Sequence, residues 1–312
     1  MESFSSKVVR EWTLEREIGR GAMGAIYRAT HRFNEGYFAL KVLRSDKATS
    51  RDLRDRFLRE ARVAASLKHE NIVDTLPAFE EQGRLYIPMQ MLRGNSITTL
   101  LQARDTPWPV DAVTTWMHQA ARGLAYAHGA GVIHRDVKPG NLFVCDDGRT
   151  LKLLDFGLAR SLQEARLTAT GLTVGTPMYL APEVIEGHDA DHRSDIYALG
   201  VVMFRLLTRR LPFQVPKTKN AFALAHGIRK QLMERIPRIK EHRPEVPSGV
   251  DDLVFEMLTV NASNRIQTAA EVAERLPAEL VAPPLEAMRI YRTEPVEAPV
   301  DAPTRPARPS SN

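Results

Sequence analysis

Three glycines near the start of the sequence, Gly19, Gly21 and Gly24, have the spacing of a loop that can approach phosphate groups closely. In a dinucleotide-binding unit, a helix would follow the glycines and an acidic residue would lie about 20 positions further on. Here the β-prone segment 25–29 follows, and the residue seventeen positions after Gly24 is Lys41. A cation at this position suits a phosphate group better than a ribose hydroxyl.

The same loop differs from the loop of P-loop NTPases, because no Gly-Lys-Ser/Thr sequence closes it. Two interpretations remain. One is a glycine hairpin whose backbone approaches the oxygens of a triphosphate, and the other is a plain glycine turn without a ligand. A single G-x-G-x-x-G pattern is a weak signal, so the rest of the chain has to decide between them.

Four further motifs follow this loop, and the five together resemble the catalytic domain of protein kinases over about residues 12–276. Any one of these motifs can occur by chance, whereas five of them in the family's order are highly specific. The four are the strand segment 38–41, the segment 134–141, the Asp-Phe-Gly triplet 155–157 and the Ala-Pro-Glu triplet 181–183.

Details of these motifs favour one branch of the family. The segments 138–141 and 175–183 are similar to those of serine/threonine kinases rather than tyrosine kinases, and the segment 194–200 most resembles bacterial members of the eukaryotic-like group. The resemblance implies an ATP-dependent serine/threonine protein kinase whose substrates are proteins.

The resemblance also implies an α+β fold with two lobes. A small antiparallel β-sheet lobe with one helix is expected at about 12–91, and a larger helical lobe at about 92–280. Residues 1–11 are expected to form an N-terminal extension. Residues 281–312 are rich in proline and contain one aromatic residue, so we expect a disordered tail that is dispensable for folding.

Catalytic roles follow from the resemblance for four side chains. Asp136 would accept or orient the proton of the substrate hydroxyl, and Lys138 would neutralise the moving γ-phosphoryl group. Lys41 would hold the α- and β-phosphates of ATP. Glu60, on the amphipathic helix predicted for residues 50–67, would pair with Lys41 and orient it.

Ligands of Mg²⁺ and of ATP are implied in the same way. Asn141 and Asp155 would supply the oxygen atoms that Mg²⁺ prefers. The expected ATP contacts come from the glycine loop, the following strands, the hinge between the lobes and the floor of the pocket: Ile18, Gly19, Arg20, Gly21, Ala22, Met23, Gly24, Ala25, Ile26, Ala39, Lys41, Met89, Gln90, Leu92 and Phe143.

The hinge departs from the family pattern at two positions. Met89 is the expected gatekeeper, and Gln90 follows it where a glutamate is common in the family. The backbone would bind adenine here, through the Gln90 carbonyl and the Leu92 N–H, so we expect the change to leave ATP binding intact. Pro88 removes one backbone donor from the same strand, which leaves the local geometry open.

Several other motif residues are expected to be architectural. His134 would brace the segment 134–141 rather than act as a general base, and Asp195 would hold the same segment from within its helix. Glu183 would form an ion pair with Arg265.

Three threonines between residues 155 and 183 are candidates for regulatory phosphorylation. A phosphothreonine at Thr168, Thr170 or Thr173 would pair with Arg135, next to Asp136, and would order the segment. Autophosphorylation through transient self-association is the expected source. Alternatively, these threonines only form turns.

Composition agrees with a globular protein. The chain has 312 residues, 43% of them hydrophobic and 26% charged, with a net charge of +5 and a single cysteine. One cysteine excludes an intrachain disulfide and favours a reducing compartment. The longest apolar stretch, 197–204, is far shorter than the roughly 18–20 residues of a membrane span, so a soluble, cytoplasmic protein without a membrane span is expected.

Two other functions have weaker support. A pseudokinase scaffold is disfavoured because Lys41, Asp136, Asn141 and Asp155 are all present. A nucleic-acid-binding protein would rest on the positive net charge alone, without a basic stripe or an aromatic platform, so no nucleic-acid partner is expected. The sequence leaves the physiological substrate and the upstream signal open.

Overall fold

The computed structural model describes residues 7–21, 24–43, 58, 61–156, 177–216, 218 and 221–277. Several residues named above lie outside these ranges: Ala22, Met23, Glu60, Thr168, Thr170, Thr173 and the tail 281–312. The described residues form an α+β fold with the expected β-sheet lobe and helical lobe.

An antiparallel sheet forms the N-terminal lobe, with the strand order β1-β2-β3-β4-β6-β5. Its strands are β1 (Lys7–Val9), β2 (Trp12–Gly21), β3 (Gly24–His31), β4 (Asn34–Leu43), β5 (Phe79–Glu81) and β6 (Arg84–Gln90). Residues 61–66 are helical, within the helix predicted for 50–67. Because β1 pairs with β2, the sheet begins before residue 12, where the sequence analysis placed the start of the domain.

The C-terminal lobe consists of helices and one small sheet. The helices are α1 (Ile97–Gln102), α2 (Val110–Gly129), α3 (Pro182–Ile185), α4 (His192–Thr208), α5 (Ala221–Glu234), α6 (Ser248–Met257) and α7 (Ala269–Glu274). The small sheet has the order β7 (Gly94–Ser96), β8 (Leu142–Cys145) and β9 (Leu151–Leu153). None of the helices in the described ranges combines the length and the apolar character needed to cross a bilayer.

Helix α4 lies in the middle of the helical lobe, and nearly all of its residues are buried. Its first turn is fixed by a capping box, in which Asp191 accepts from the Arg193 N–H and Ser194 Oγ accepts from the Asp191 N–H. Arg209 ends the helix in the left-handed region, with φ of 61°. Both ends of α4 are therefore set by local hydrogen bonds.

The segment 71–76 connects the two lobes. The Val73 N–H donates to the Leu153 carbonyl of β9 over 3.0 Å, and the Gln90 N–H of β6 donates to the Asp74 carbonyl over 2.8 Å. The sequence of residues 72–76 is typical of a strand. The structure has only two isolated bridges there, because the partners of this segment belong to different lobes.

Pro88 causes no loss of pairing between β4 and β6. Its carbonyl accepts from the Leu76 N–H over 2.9 Å, and the backbone groups of one strand residue point to the same side. The proline nitrogen therefore faces segment 71–76, whereas Ile87 and Met89 pair with β4. This geometry resolves the question that the sequence left open.

Glu183 and Arg265 form the expected ion pair. Two guanidinium nitrogens of Arg265 each lie 2.9 Å from a Glu183 carboxylate oxygen, and the Arg265 side chain is fully buried. Arg265 also donates to the carbonyls of Arg193 and Thr259. The pair thus connects α3 to the start of α4 and to the segment after α6.

Loss of this pair should destabilise the protein strongly at neutral pH. Burial raises the pKa of Glu183, but the hydrogen bond and the charge of Arg265 lower it more, so the pKa lies below its usual 4.5. We expect Glu183→Gln to reduce the free energy of unfolding by about 2–3 kcal/mol at pH 7. A carboxylate with a lowered pKa stabilises the fold above its unfolded pKa, so the difference from wild type should shrink as the pH falls below 4.5.

The control is Glu256→Gln, which breaks the more exposed pair with Arg275. It should cost at most about 1 kcal/mol. Urea unfolding at several pH values measures both variants, and a Glu183→Gln cost as small as that of the control would contradict the expectation.

Candidate active site

The side chain of Asp195 holds the beginning of segment 134–141 in place. This carboxylate is 1% exposed and accepts from the backbone N–H groups of His134 and Arg135, each over 2.8 Å. His128 Nε2, on α2, lies 2.8 Å from the same carboxylate. The bracing role expected for Asp195 is confirmed. The contact of His128 was not predicted, because no motif links a residue of α2 to this segment.

His134 is architectural, as expected. Its ring is fully buried, and its centroid lies 4.5 Å from that of Phe156. The Asp136 N–H donates to Nδ1, so Nε2 carries the proton and donates to the Leu154 carbonyl over 2.9 Å. Both ring nitrogens are therefore used inside the protein.

Asp136, Lys138 and Asn141 form one hydrogen-bonded cluster. Lys138 Nζ lies 2.6 Å from Asp136 Oδ2. Asn141 Nδ2 donates to the same oxygen over 2.9 Å and to the Asp136 carbonyl over 2.8 Å. Two donors share Oδ2, so among the contacts of the described residues Asp136 Oδ1 is the oxygen left to accept a proton, and Asn141 Oδ1 is the amide atom left for a cation.

Lys41 and Asp155 meet across the two lobes. Lys41 is 5% exposed on β4, and its Nζ lies 2.8 Å from Asp155 Oδ1. Burial raises the pKa of Asp155, but the charge and the hydrogen bond of Lys41, with smaller contributions from His134 and Lys138, bring it below its usual range. Asp155 is thus ionised at neutral pH, as a metal ligand must be. No sequence motif predicts this direct contact, because Lys41 and Asp155 belong to separate motifs.

The three loop glycines differ in whether the structure leaves room for a side chain. A Cβ on Gly24 would lie 2.0 Å from the Val42 carbonyl oxygen, so only glycine fits there. A Cβ on Gly19 would touch only Ile26, at 4.0 Å, and a Cβ on Gly21 would meet nothing within 4 Å. The space beside Gly19 and Gly21 is therefore open, which is what a bound phosphate chain requires.

The other residues expected to contact ATP come from both lobes. Ala39 and Met89 are buried on facing strands, and Ile26 and Leu92 pack against the same apolar cluster. Phe143 lies on β8, in the small sheet of the other lobe, and is half-buried. Ala25 is buried, Ile18 and Gln90 are exposed, and Arg20 forms an ion pair with Glu17 at the loop. The Gln90 N–H donates to the Asp74 carbonyl over 2.8 Å, and the adenine contacts expected of the Gln90 carbonyl and the Leu92 N–H stay predictions.

Within the described ranges, no group of three or more His, Cys, Asp or Glu side chains is placed to hold a metal ion. Asn141 and Asp155 nevertheless suit Mg²⁺, because this ion is commonly held by one or two protein oxygens together with substrate phosphates and waters. A nucleotide would have to supply the remaining ligands.

Comparison with known proteins gives one family. The family model of the protein kinase domain matches residues 12–276. The chain is 36% identical over 283 residues to serine/threonine-protein kinase PknJ of Mycobacterium tuberculosis, which covers 89% of this chain and 47% of PknJ. It is 33% identical over 269 residues to serine/threonine-protein kinase PrkC of Bacillus subtilis, covering 86% of this chain and 40% of PrkC. The chain thus spans about half or less of the curated relatives it matches.

A solved structure agrees with this similarity. The kinase domain of Mycobacterium tuberculosis PknI superposes with a TM-score of 0.68 and 28% sequence identity, covering 87% of this chain and 97% of that domain.

Alanine at Gly24 should lower the stability of the protein, whereas alanine at Gly21 should weaken ATP binding. Gly24→Ala forces a Cβ into the Val42 carbonyl and should lower the free energy of unfolding by at least about 2 kcal/mol. Gly21→Ala has space and should change it by less than about 0.5 kcal/mol, while weakening ATP binding about tenfold because the new methyl group occupies the phosphate space. Thermal unfolding and ATP titration separate the two effects, and unchanged ATP affinity of Gly21→Ala would favour the plain glycine turn.

Proposed function

Because the chain belongs to the protein kinase domain family, we propose that it transfers the γ-phosphoryl group of ATP to serine or threonine hydroxyls of protein substrates. The observation that supports this most directly is the cluster of Asp136, Lys138 and Asn141 next to the Lys41–Asp155 pair. It joins a proton acceptor, two cations and two oxygen ligands in one place, and these are the groups that phosphoryl transfer uses.

In the proposed reaction, the substrate hydroxyl oxygen forms a bond to the γ-phosphorus, and the bond from that phosphorus to the bridging oxygen of ADP breaks. The hydroxyl proton passes to Asp136 Oδ1. Lys138 is held beside Asp136 and neutralises charge on the phosphoryl group as it moves. Lys41 orients the α- and β-phosphates. When bound at Asn141 and Asp155, Mg²⁺ would neutralise the phosphate oxygens.

Asp136→Asn should separate binding from chemistry. The amide cannot accept the hydroxyl proton, so we expect a loss of about 10²–10⁴-fold in phosphoryl transfer. ATP affinity should stay within about threefold of wild type, because Asp136 faces the hydroxyl rather than the nucleotide. Incubation with labelled ATP, Mg²⁺ and a general protein substrate measures transfer, and an ATP titration measures binding.

The matched control is Asp111→Asn, because Asp111 is an exposed side chain in the first turn of α2. It should retain wild-type transfer. Wild-type transfer by Asp136→Asn would contradict the proposed function.

We further propose that the protein phosphorylates its own Thr168 or Thr170, with one molecule acting on another. Arg135 is next to Asp136, and a phosphothreonine would form charge-assisted hydrogen bonds to it. Mass spectrometry should find phosphate on the wild-type protein and none on Asp136→Asn.

The double variant Thr168→Ala/Thr170→Ala should lose about ten- to a hundredfold in activity. Thr173→Ala is the comparison and should lose much less. Full activity of the double variant would contradict the role of these threonines, and phosphate on Asp136→Asn would point to a separate upstream kinase.

A further inference from the structure

A groove of about 290 Å³ opens beside the catalytic cluster, between α1, the segment 138–140 and α4. This volume is large enough for a side chain with several waters, since one water takes about 30 Å³ in the liquid. Two charged residues line the groove, Lys138 and Arg205, and both are cations. Among the residues that the structure describes, no carboxylate lines it.

The two cations differ in their partners. Lys138 is neutralised by Asp136, 2.6 Å away. Arg205 instead donates from Nη1 to the Tyr179 hydroxyl over 2.6 Å, and no carboxylate in the described part of the chain lies within ion-pair distance of it. A guanidinium has five N–H donors, and within the described ranges only the Tyr179 hydroxyl accepts from Arg205, so most of these donors remain for a ligand. Arg205 is the uncompensated charge of the groove.

The neighbourhood of Arg205 is also basic. Burial, followed by the charge of Arg205, lowers the pKa of Arg209, so the two arginines are within electrostatic reach of each other. Arg104, whose guanidinium lies over the Trp108 ring, contributes a further positive charge. Asp105 is the nearby carboxylate, but it is fully exposed and 3.9 Å from Arg209, where solvent screens it. This side of the groove therefore has a positive potential.

The groove is continuous with the position of the reacting hydroxyl. Lys138 lines the groove and touches Asp136, so a peptide whose hydroxyl reaches Asp136 Oδ1 must place neighbouring residues along this wall. Extended chain advances about 3.3 Å per residue, so a few flanking residues of the peptide are enough to follow the groove away from Asp136.

We propose that Arg205 is a specificity-determining residue that binds an acidic side chain, Asp or Glu, close to the serine or threonine acceptor of the substrate. This inference rests on the proposed function and names the substrate class of the same site. A carboxylate fits because it accepts two parallel hydrogen bonds from a guanidinium, and the groove offers it a cation without a competing anion.

The test uses peptides with one threonine and a single Glu, Gln or Lys placed in turn at each flanking position. For wild type, we expect at least one position where kcat/KM for Glu exceeds that for Gln about tenfold, and where Lys is worse than Gln. Arg205→Gln should reduce this Glu/Gln ratio to within about twofold while kcat/KM for the Gln peptide changes less than about threefold. Arg205→Lys, which keeps the charge, should restore most of the preference.

Two further variants show whether an effect of Arg205→Gln comes from the groove or from misfolding. Arg275→Gln removes the same charge just after the end of α7, outside the groove, and should keep the wild-type preference. Gly140→Glu adds a carboxylate to the groove wall; a Cβ there would meet Thr98 Oγ1 at 3.6 Å and Lys138 Cε at 4.0 Å, which are ordinary contacts. This variant should abolish the preference for Glu and improve the Lys peptide, even if Arg205→Gln fails to fold.

The outcomes separate the two levels of inference. Equal kcat/KM for Glu, Gln and Lys peptides in wild type, or an unchanged preference in Arg205→Gln, would overturn the specificity role and leave the proposed function standing. Absence of transfer to every peptide and to a general protein substrate, in the presence of ATP and Mg²⁺, would overturn both.

Discussion

The carboxylate of Asp195 is the constraint on which the catalytic geometry depends. It is buried, and two backbone N–H groups and His128 contact it, so its desolvation is compensated. One of these N–H groups belongs to Arg135, whose φ of 64° is unfavourable for a residue with a side chain. The hydrogen bond to Asp195 holds this turn in place, and the turn directs Asp136 toward Lys138 and Asn141. A single anion thus offsets a local strain and positions the reacting groups.

A second constraint on the catalytic geometry acts between the two lobes. Lys41 comes from the β-sheet lobe and Asp155 from the helical lobe, and their 2.8 Å contact joins the two. Segment 71–76 joins the lobes a second time through backbone hydrogen bonds to β9 and β6, and its Val73 lines the same cavity as Asp155. These hydrogen bonds restrict the relative positions of the lobes, which reduces the conformational entropy that the ion pair would otherwise have to offset. Movement of one lobe against the other would change the Lys41–Asp155 distance directly.

Local patterns predicted much of this arrangement, and contacts between distant residues were the part they could not supply. Asp136, Lys138 and Asn141 were found because one short segment contains them all, whereas the Lys41–Asp155 contact joins separate motifs. Strand β1 was left outside the domain because three residues are too few to show a period. Helix α5 has apolar residues every four positions (Leu224, Ile228 and Leu232), but no motif marks it. The strand-like residues 72–76 form only bridges because their partners lie in two lobes.

The position of Asp195 and Arg205 on one helix, α4, bears on how substrate specificity could change. Asp195 in its first turn braces the reacting segment, and Arg205, ten residues later along the same rigid rod, faces the groove. At 1.5 Å per residue the two positions are about 15 Å apart, and buried neighbours fix the rod on nearly all sides. If Arg205 selects substrates as proposed, a mutation at position 205 changes which proteins are chosen while the contacts of Asp195 with the backbone of His134 and Arg135 stay intact. New specificities would then arise without loss of the catalytic geometry.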